Sequence, residues 1–399
     1  MPVFGRFSIM EHRFAMWNNE IGAVVSSPRP GIAILPSPDA SAFRRFAWCA
    51  ALVLAALAGL TALCKAGSEQ LFAQSWQAMG TTFTIYLYAA NEEQASEYFE
   101  AAFEEIERLD EALSNYRTSS ELSRINRLAA NEAVTTDPEV FELLQRSLDY
   151  SRRSGGAFDI TVGPLMRAWG FFRGKGRYPA AEVLAKARVS VGWQRVVLDP
   201  ATRTVHFLVP GLELDLGGIG KGYAVDRVVV LLREMGVKSA LIDAGSSTIY
   251  AIGAPPGKPG WNVRVPQPGN RLQAISTVLL RDASLSTSGN YEKYFRLDGR
   301  IYCHIMNPQT GEPVQGMLQT TVITPGATDS DALSTAVFVM GPLAGKRLLQ
   351  SIAGASAFWV LGNPEARRTV AWRWPDRDRC TSRASRAMNS SVAQRNAGP

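Results

Sequence analysis

Asp331 and Thr335 stand four residues apart in the run Asp331-Ala332-Leu333-Ser334-Thr335-Ala336, which has helical periodicity. Residues at i and i+4 share a helix face, so a carboxylate and a hydroxyl are presented together. Hard oxygen donors of this kind suit Mg2+, which fills the rest of its shell with waters and substrate phosphate oxygens. The alternative is a solvated N-cap aspartate and a threonine used for helix packing. A second cluster is the run 214–226, LDLGGIGKGYAVD, with glycines at 217, 218, 220 and 222 and one lysine, Lys221. Glycines let backbone N–H groups approach an anion, and a helix N-terminus adds a favourable dipole. Phosphate binding is therefore one reading of this loop, and a purely structural turn is the other. Two nucleotide fingerprints fail on it: a P-loop needs glycine where Asp215 stands, and GxGxxG from Gly218 needs glycine where Tyr223 stands.

His304 is one of three histidines, with His12 near the N-terminus and His206 inside a strand pattern. It precedes Asn307-Pro308 and Thr310-Gly311, a turn-forming run. A neutral imidazole near pH 7 can take a proton from a hydroxyl nucleophile; a histidine satisfied by backbone hydrogen bonds is the alternative. Asp159 is a weaker candidate for the same base. Cys303, beside His304, reads as a small strand residue rather than a thiol nucleophile, and none of the four cysteines has metal-ligand spacing.

The elements that must position these groups are legible in part. Phe99, Phe103, Ile106, Leu109 and Leu113 recur at helical spacing and predict a helix over 92–116. Leu122, Ile125 and Leu128 predict another over 121–128. Asp137-Pro138 reads as an N-cap followed by proline at the first helical position, opening a helix through Leu148. Strands are expected at 83–88, 195–198, 204–209, 239–243, 262–265, 274–281, 320–323 and 357–361, and a strand-like run over 205–216 leads into the glycine loop. Helices are expected at 330–340 and 343–352. Strands in hairpin-like runs mixed with separate helices favour an α+β fold, mostly antiparallel sheets with packed helices, over an alternating parallel sheet.

Several short runs follow one another in a fixed order: Met79-Gly80-Thr81-Thr82; Phe158-Asp159-Ile160-Thr161-Val162-Gly163-Pro164-Leu165 with Trp169-Gly170; the glycine loop; Ser288-Gly289-Asn290-Tyr291; His304-Ile305-Met306-Asn307-Pro308-Gln309-Thr310-Gly311; and Asp331 to Ala336. In this order the chain resembles the ApbE family, the FAD:protein FMN transferases, over residues 74–375. The resemblance implies an ApbE-like flavin transferase fold and a Mg2+ site made of Asp331, Thr335 and the backbone carbonyl of Gly218. It implies that His304 lies beside the transferred phosphate as the catalytic base. Met79, Tyr116, Ala157, Phe158 and Asp159 would line the pocket of FAD, the substrate, with the Tyr116 ring on the isoalloxazine. Asp215 and Lys221 would hold ribose and phosphate groups, and Ile305 would present its backbone to the ligand. The reaction implied is transfer of FMN from FAD to a Thr or Ser hydroxyl in the flavinylation motif of a partner flavoprotein, with release of AMP. The rivals are a pyrophosphatase that splits FAD to FMN and AMP, and a non-catalytic flavin-binding maturation factor for a membrane redox complex. Two positions depart from the family pattern: Ser330 replaces the usual alanine before Asp331, and Ser246 replaces a second glycine after Gly245, which narrows the allowed backbone angles.

With 399 residues and 46% hydrophobic content the chain can bury a large core. The net charge of +6 resides at the ends: residues 1–67 carry six Lys/Arg against three acids, and 376–399 carry five Arg against two Asp. The remainder is neutral, so no basic face is implied and no nucleic-acid partner is expected. Arg44-Arg45 precede nineteen uncharged residues, 46–64, a length that fits a membrane anchor or a long signal peptide. The expected organisation is a disordered extension over 1–43, a signal peptide or inner-membrane anchor over 44–66, a catalytic domain over 67–375 and a disordered basic tail over 376–399. Export to the periplasm, free or anchored, is the expected location.

Overall fold

The computed structural model describes residues 69–375 except 173, 364 and 365. The expectations for 1–66 and for the 376–399 tail lie outside the described residues. Among the described residues no helix is long and apolar enough to cross a membrane.

The frame is an 8-stranded sheet. Its order is Gln70–Ala78, Thr81–Ala89, Ala240–Ala244, Thr248–Ile252, Ala283–Gly289, Met317–Thr324, Ser356–Gly362 and Arg367–Trp372, with every neighbouring pair antiparallel. Successive residues of a strand face opposite sides. Along Thr248–Ile252, Tyr250 and Ile252 join the core packed with the helices, whereas Ile249 and Ala251 pack with Trp261, Val263, Val278 and Leu280. These last four belong to the hairpin Trp261–Gln267/Asn270–Leu280, so both faces of the sheet are covered.

The helix Glu92–Leu113 is capped by Asn91, whose side chain accepts from the Gln94 N–H, and all five predicted apolar positions are buried. Burying each such side chain stabilises by about 1.5–3 kcal/mol. Asp137 caps Pro138–Arg153 as its sequence signals, accepting from the Glu139 and Val140 N–H groups. The helix Ala327–Gln350 breaks at Gly341, φ 72°, before Pro342, so the expected pair of helices exists as two pieces across a kink.

Three expectations are corrected. The first helix stops at Leu113 because Ser114 turns extended, and its carbonyl accepts from the Ser120 and Ser123 hydroxyls; Tyr116 therefore sits on a loop. The strand-like run 205–216 is a strand only over Thr204–Phe207. Beyond it Asn126 clamps Leu214, donating from Nδ2 to its carbonyl and accepting its N–H on Oδ1, which substitutes a side-chain amide for a neighbouring strand. The helix expected from 330 starts at Ala327, because the carboxylate of Asp226 accepts from the N–H groups of Ala327 and Thr328 and from the Thr328 hydroxyl.

Candidate active site

The segment after Phe158 and the segment before the glycine loop are pinned together. The N–H of Asp215 donates to the Ile160 carbonyl at 2.7 Å, and that of Gly163 donates to the Glu213 carbonyl at 3.2 Å. The loop then turns into the helix Gly220–Glu234. The N–H of Gly222 lies in the first turn of this helix, where no carbonyl of the helix itself can accept it. Here it donates to Oδ2 of Asp331 at 2.9 Å. The Gly218 carbonyl accepts no hydrogen bond among the described residues, and neither does the second oxygen of Asp331. A Cβ on Gly222 would lie 2.3 Å from the Ala327 carbonyl oxygen and 2.6 Å from the Asp331 Cβ. Glycine at 222 is what lets the two helices meet this closely.

Asp331 is buried inside its helix, which removes the reading of a solvated N-cap. Thr335 lies one turn on, and the Cβ position of Gly218 is 3.4 Å from its Oγ1. Ser288, on the neighbouring strand, has its Oγ 2.9 Å from Ser334 Oγ and 3.3 Å from Thr335 Oγ1. Ser330 is built in the same way: its hydroxyl lies 2.8 Å from Ser284 Oγ and 2.6 Å from Ser286 Oγ. The departure from alanine at 330 is thus satisfied by two buried strand serines.

Met79 and Gly80 form the two-residue turn between the first two strands, both at positive φ, 51° and 71°, as a type I′ hairpin requires. The turn directs Met79 towards Gly220, whose Cβ position is 3.6 Å from Met79 Cε. Tyr116 stacks on Phe172 with centroids 4.9 Å apart and planes at 10°, and the Arg167 guanidinium covers the Phe172 ring. At the other expected departure, Ser246 takes φ 59°, while a Cβ on Gly245 would collide with Thr81.

One cavity of about 700 Å3 is lined by every residue that the resemblance assigns to the site: Met79, Tyr116, Ala157, Phe158, Asp159, Asp215, Gly218, Lys221, His304, Ile305, Asp331 and Thr335. Lys221 donates to the Gly217 carbonyl at 3.1 Å. Burial raises the Asp215 carboxyl, opposed by the Gly217 N–H it accepts and by the ammonium groups of Lys293 and Lys221. Asp159 is unsuited to serve as a base despite a carboxyl raised by burial. Its Oδ1 is taken by the Thr161 N–H and hydroxyl and its Oδ2 by the Trp193 N–H, so it anchors the loop. Cys303 is buried and its thiol is pushed up to about 11 by burial, in keeping with a packing residue.

The Nδ1 of His304 lies 3.3 Å from the Lys293 carbonyl. A carbonyl only accepts, so Nδ1 carries the proton and Nε2 keeps its lone pair. Burial, reinforced by Lys293 and Lys221, lowers the imidazole from 6.5 to about 4, so the free ring is neutral at physiological pH. The sequence reading missed Lys293, Thr81, Ser288 and Met166, which also line the cavity. Ser288 and Thr81 fall inside the quoted runs; nothing in the pattern marks the other two.

These features occur in a chain whose residues 79–359 match the ApbE family model. An FAD:protein FMN transferase of Klebsiella pneumoniae (strain 342) is 33% identical over 298 residues, covering 74% of this chain and 90% of that protein. One from Treponema pallidum (strain Nichols) is 32% identical over 286 residues, covering 68% and 79%. The ApbE protein of Thermotoga maritima superposes with a TM-score of 0.70 at 31% identity, covering 76% of this chain and 97% of that one. The flavinyl transferase ApbE of Pseudomonas stutzeri, apo form, gives 0.68 at 32% identity, covering 76% and 95%. The chain belongs to the ApbE family, and its α+β fold is that of the ApbE flavin transferases.

Proposed function

We propose that this chain is an FAD:protein FMN transferase, which moves FMN from FAD to a hydroxyl of a partner protein and releases AMP. The observation that carries the reading is the convergence, in one cavity, of a neutral histidine with a free Nε2 and a buried aspartate with a free oxygen. The cavity volume lies in the range of small-molecule sites. Its mixed walls, Met79 and Tyr116 on one hand and the glycine loop on the other, suit a flat ring system joined to phosphates.

The donor set fits Mg2+. Asp331 offers a carboxylate oxygen, Gly218 a carbonyl that lies just before the helix N-cap, and Thr335 a hydroxyl. Among the described residues no three His, Cys, Asp or Glu side chains cluster as a metal cage, which agrees with an ion that takes much of its shell from substrate oxygens. When bound, the ion would neutralise the diphosphate, the contribution that dominates phosphoryl transfer. The chain's own residues account for the rest. The acceptor oxygen forms a bond to the FMN phosphorus while His304 Nε2 takes its proton, and the bond to the bridging oxygen breaks so that AMP leaves with that oxygen. Lys221, at the N-terminal turn of the glycine-loop helix, offsets the charge that develops on the leaving phosphate.

The finer assignments are a Thr or Ser acceptor in a flavinylation motif and a periplasmic or membrane-anchored location. The uncharged run 46–64 behind Arg44-Arg45 supports the second. The test is AMP release with and without an acceptor flavoprotein. A transferase releases AMP only when the acceptor is present, one for each flavin attached. Equal release without acceptor marks a pyrophosphatase, and flavin binding with no AMP at all marks a carrier.

A further inference from the structure

The strands Tyr294–Leu297 and Arg300–Cys303 form a hairpin in which Tyr294 pairs with Cys303. Lys293 and His304 therefore face each other where the hairpin joins the body, and the Lys293 carbonyl accepts the His304 N–H at 3.0 Å and faces its Nδ1 at 3.3 Å. Lys293 lines the cavity. The cavity's other charges are mostly spoken for: Arg117 pairs with Asp110, Glu292 with Arg271, and the Asp159 carboxylate is filled by N–H and hydroxyl donors. Among the described residues neither Lys221 nor Lys293 forms an ion pair. Both also lower the titration of Asp215 and of His304. Two lysines lining one cleft attract an anion.

We propose that Lys293 is a phosphate-binding residue of this site: its ammonium, with that of Lys221, takes the diphosphate of FAD, while its carbonyl holds His304 in the tautomer that leaves Nε2 basic. This rests on the function proposed above and adds a residue to it. One residue thus couples the charge of the substrate to the orientation of the base.

The test compares the affinities of FAD and riboflavin for the full chain and for Lys293→Met and Lys293→Arg, by flavin fluorescence in EDTA without acceptor. Riboflavin carries the ring system but no phosphate. Losing a charge-assisted contact predicts that Lys293→Met weakens FAD about tenfold to a hundredfold and leaves riboflavin unchanged, with Lys293→Arg close to wild type. The His304 titration, followed by NMR, should move upward in Lys293→Met alone. Equal weakening of both flavins would show that Lys293 only shapes the pocket and would overturn the proposal, as would unchanged FAD affinity. Transfer is not read in this experiment. A chain that shows the predicted pattern yet fails to flavinylate would therefore contradict the proposed function and leave the Lys293 assignment standing.

Discussion

The backbone N–H of Gly222 and the carboxylate of Asp331 are joined by a hydrogen bond of 2.9 Å between two helices 109 residues apart in sequence. That bond fixes one carboxylate oxygen and satisfies a first-turn N–H that has no acceptor within its own helix. Asp331→Asn preserves the shape and an oxygen acceptor for Gly222 while removing the charge. Transfer should fall on the order of 10²–10³-fold, as when a preorganised electrostatic group is deleted, and the melting temperature should hold. Transfer that persists in Asp331→Asn at ordinary Mg2+ would remove Asp331 as a ligand.

Gly222→Ala tests the closeness of the same two helices. The added methyl would meet backbone at 2.3 Å, and overpacking of this kind costs about 1–3 kcal/mol. Chemical denaturation should show that loss, together with weakened Mg2+ binding. A fully stable variant would mean that the helices separate without consequence.

His304 supplies the pH dependence. Its folded value, about 4, lies below the ordinary 6.5, so the fold favours the neutral ring. The stability this contributes is fully present above pH 6.5 and is lost as the pH falls from 6.5 towards 4, because the unfolded chain takes up the proton first. Histidine C2-proton NMR of the free protein, assigned with His304→Gln, should place the inflection near 4; an inflection at 6.5 would contradict the buried, lysine-flanked environment. His304→Ala should slow transfer on the order of 10²–10⁴-fold with FAD affinity retained, and a drop confined to affinity would argue against a base.

Helices were the legible part of this chain, because Phe99, Phe103, Ile106, Leu109 and Leu113 show a single buried face at helical spacing. The strand Thr248–Ile252 is buried on both faces and so carries no alternation to detect. Ala283–Gly289, which is not among the strands expected from the sequence, is a central strand whose Ser284, Ser286 and Ser288 hydroxyls are met by Ser330 and Ser334. Local propensity gave way there to tertiary hydrogen bonding. In the site, Asp331 and Thr335 were visible through their spacing, whereas the bond that joins Gly222 to Asp331 spans 109 residues and no local pattern encodes it. Lys293 escaped notice for a similar reason: its partner His304 is brought to it by a hairpin.

Ser246 holds φ 59° where glycine would rest without strain. Its N–H bonds to Asp243, an interaction glycine would keep. Relief of the left-handed strain, less the entropy glycine adds to the unfolded chain, predicts that Ser246→Gly raises stability by about 0.5–1 kcal/mol. Thermal denaturation checks it, and a lower melting temperature would mean that the serine hydroxyl has a role of its own.

The most direct test of the account is the intact mass of an acceptor peptide carrying a Ser/Thr flavinylation motif, incubated with the full chain, FAD and Mg2+. The expected result is a gain of one FMN per peptide, matched by one AMP and lost in EDTA. AMP without a mass gain, or a gain that survives EDTA, would contradict it.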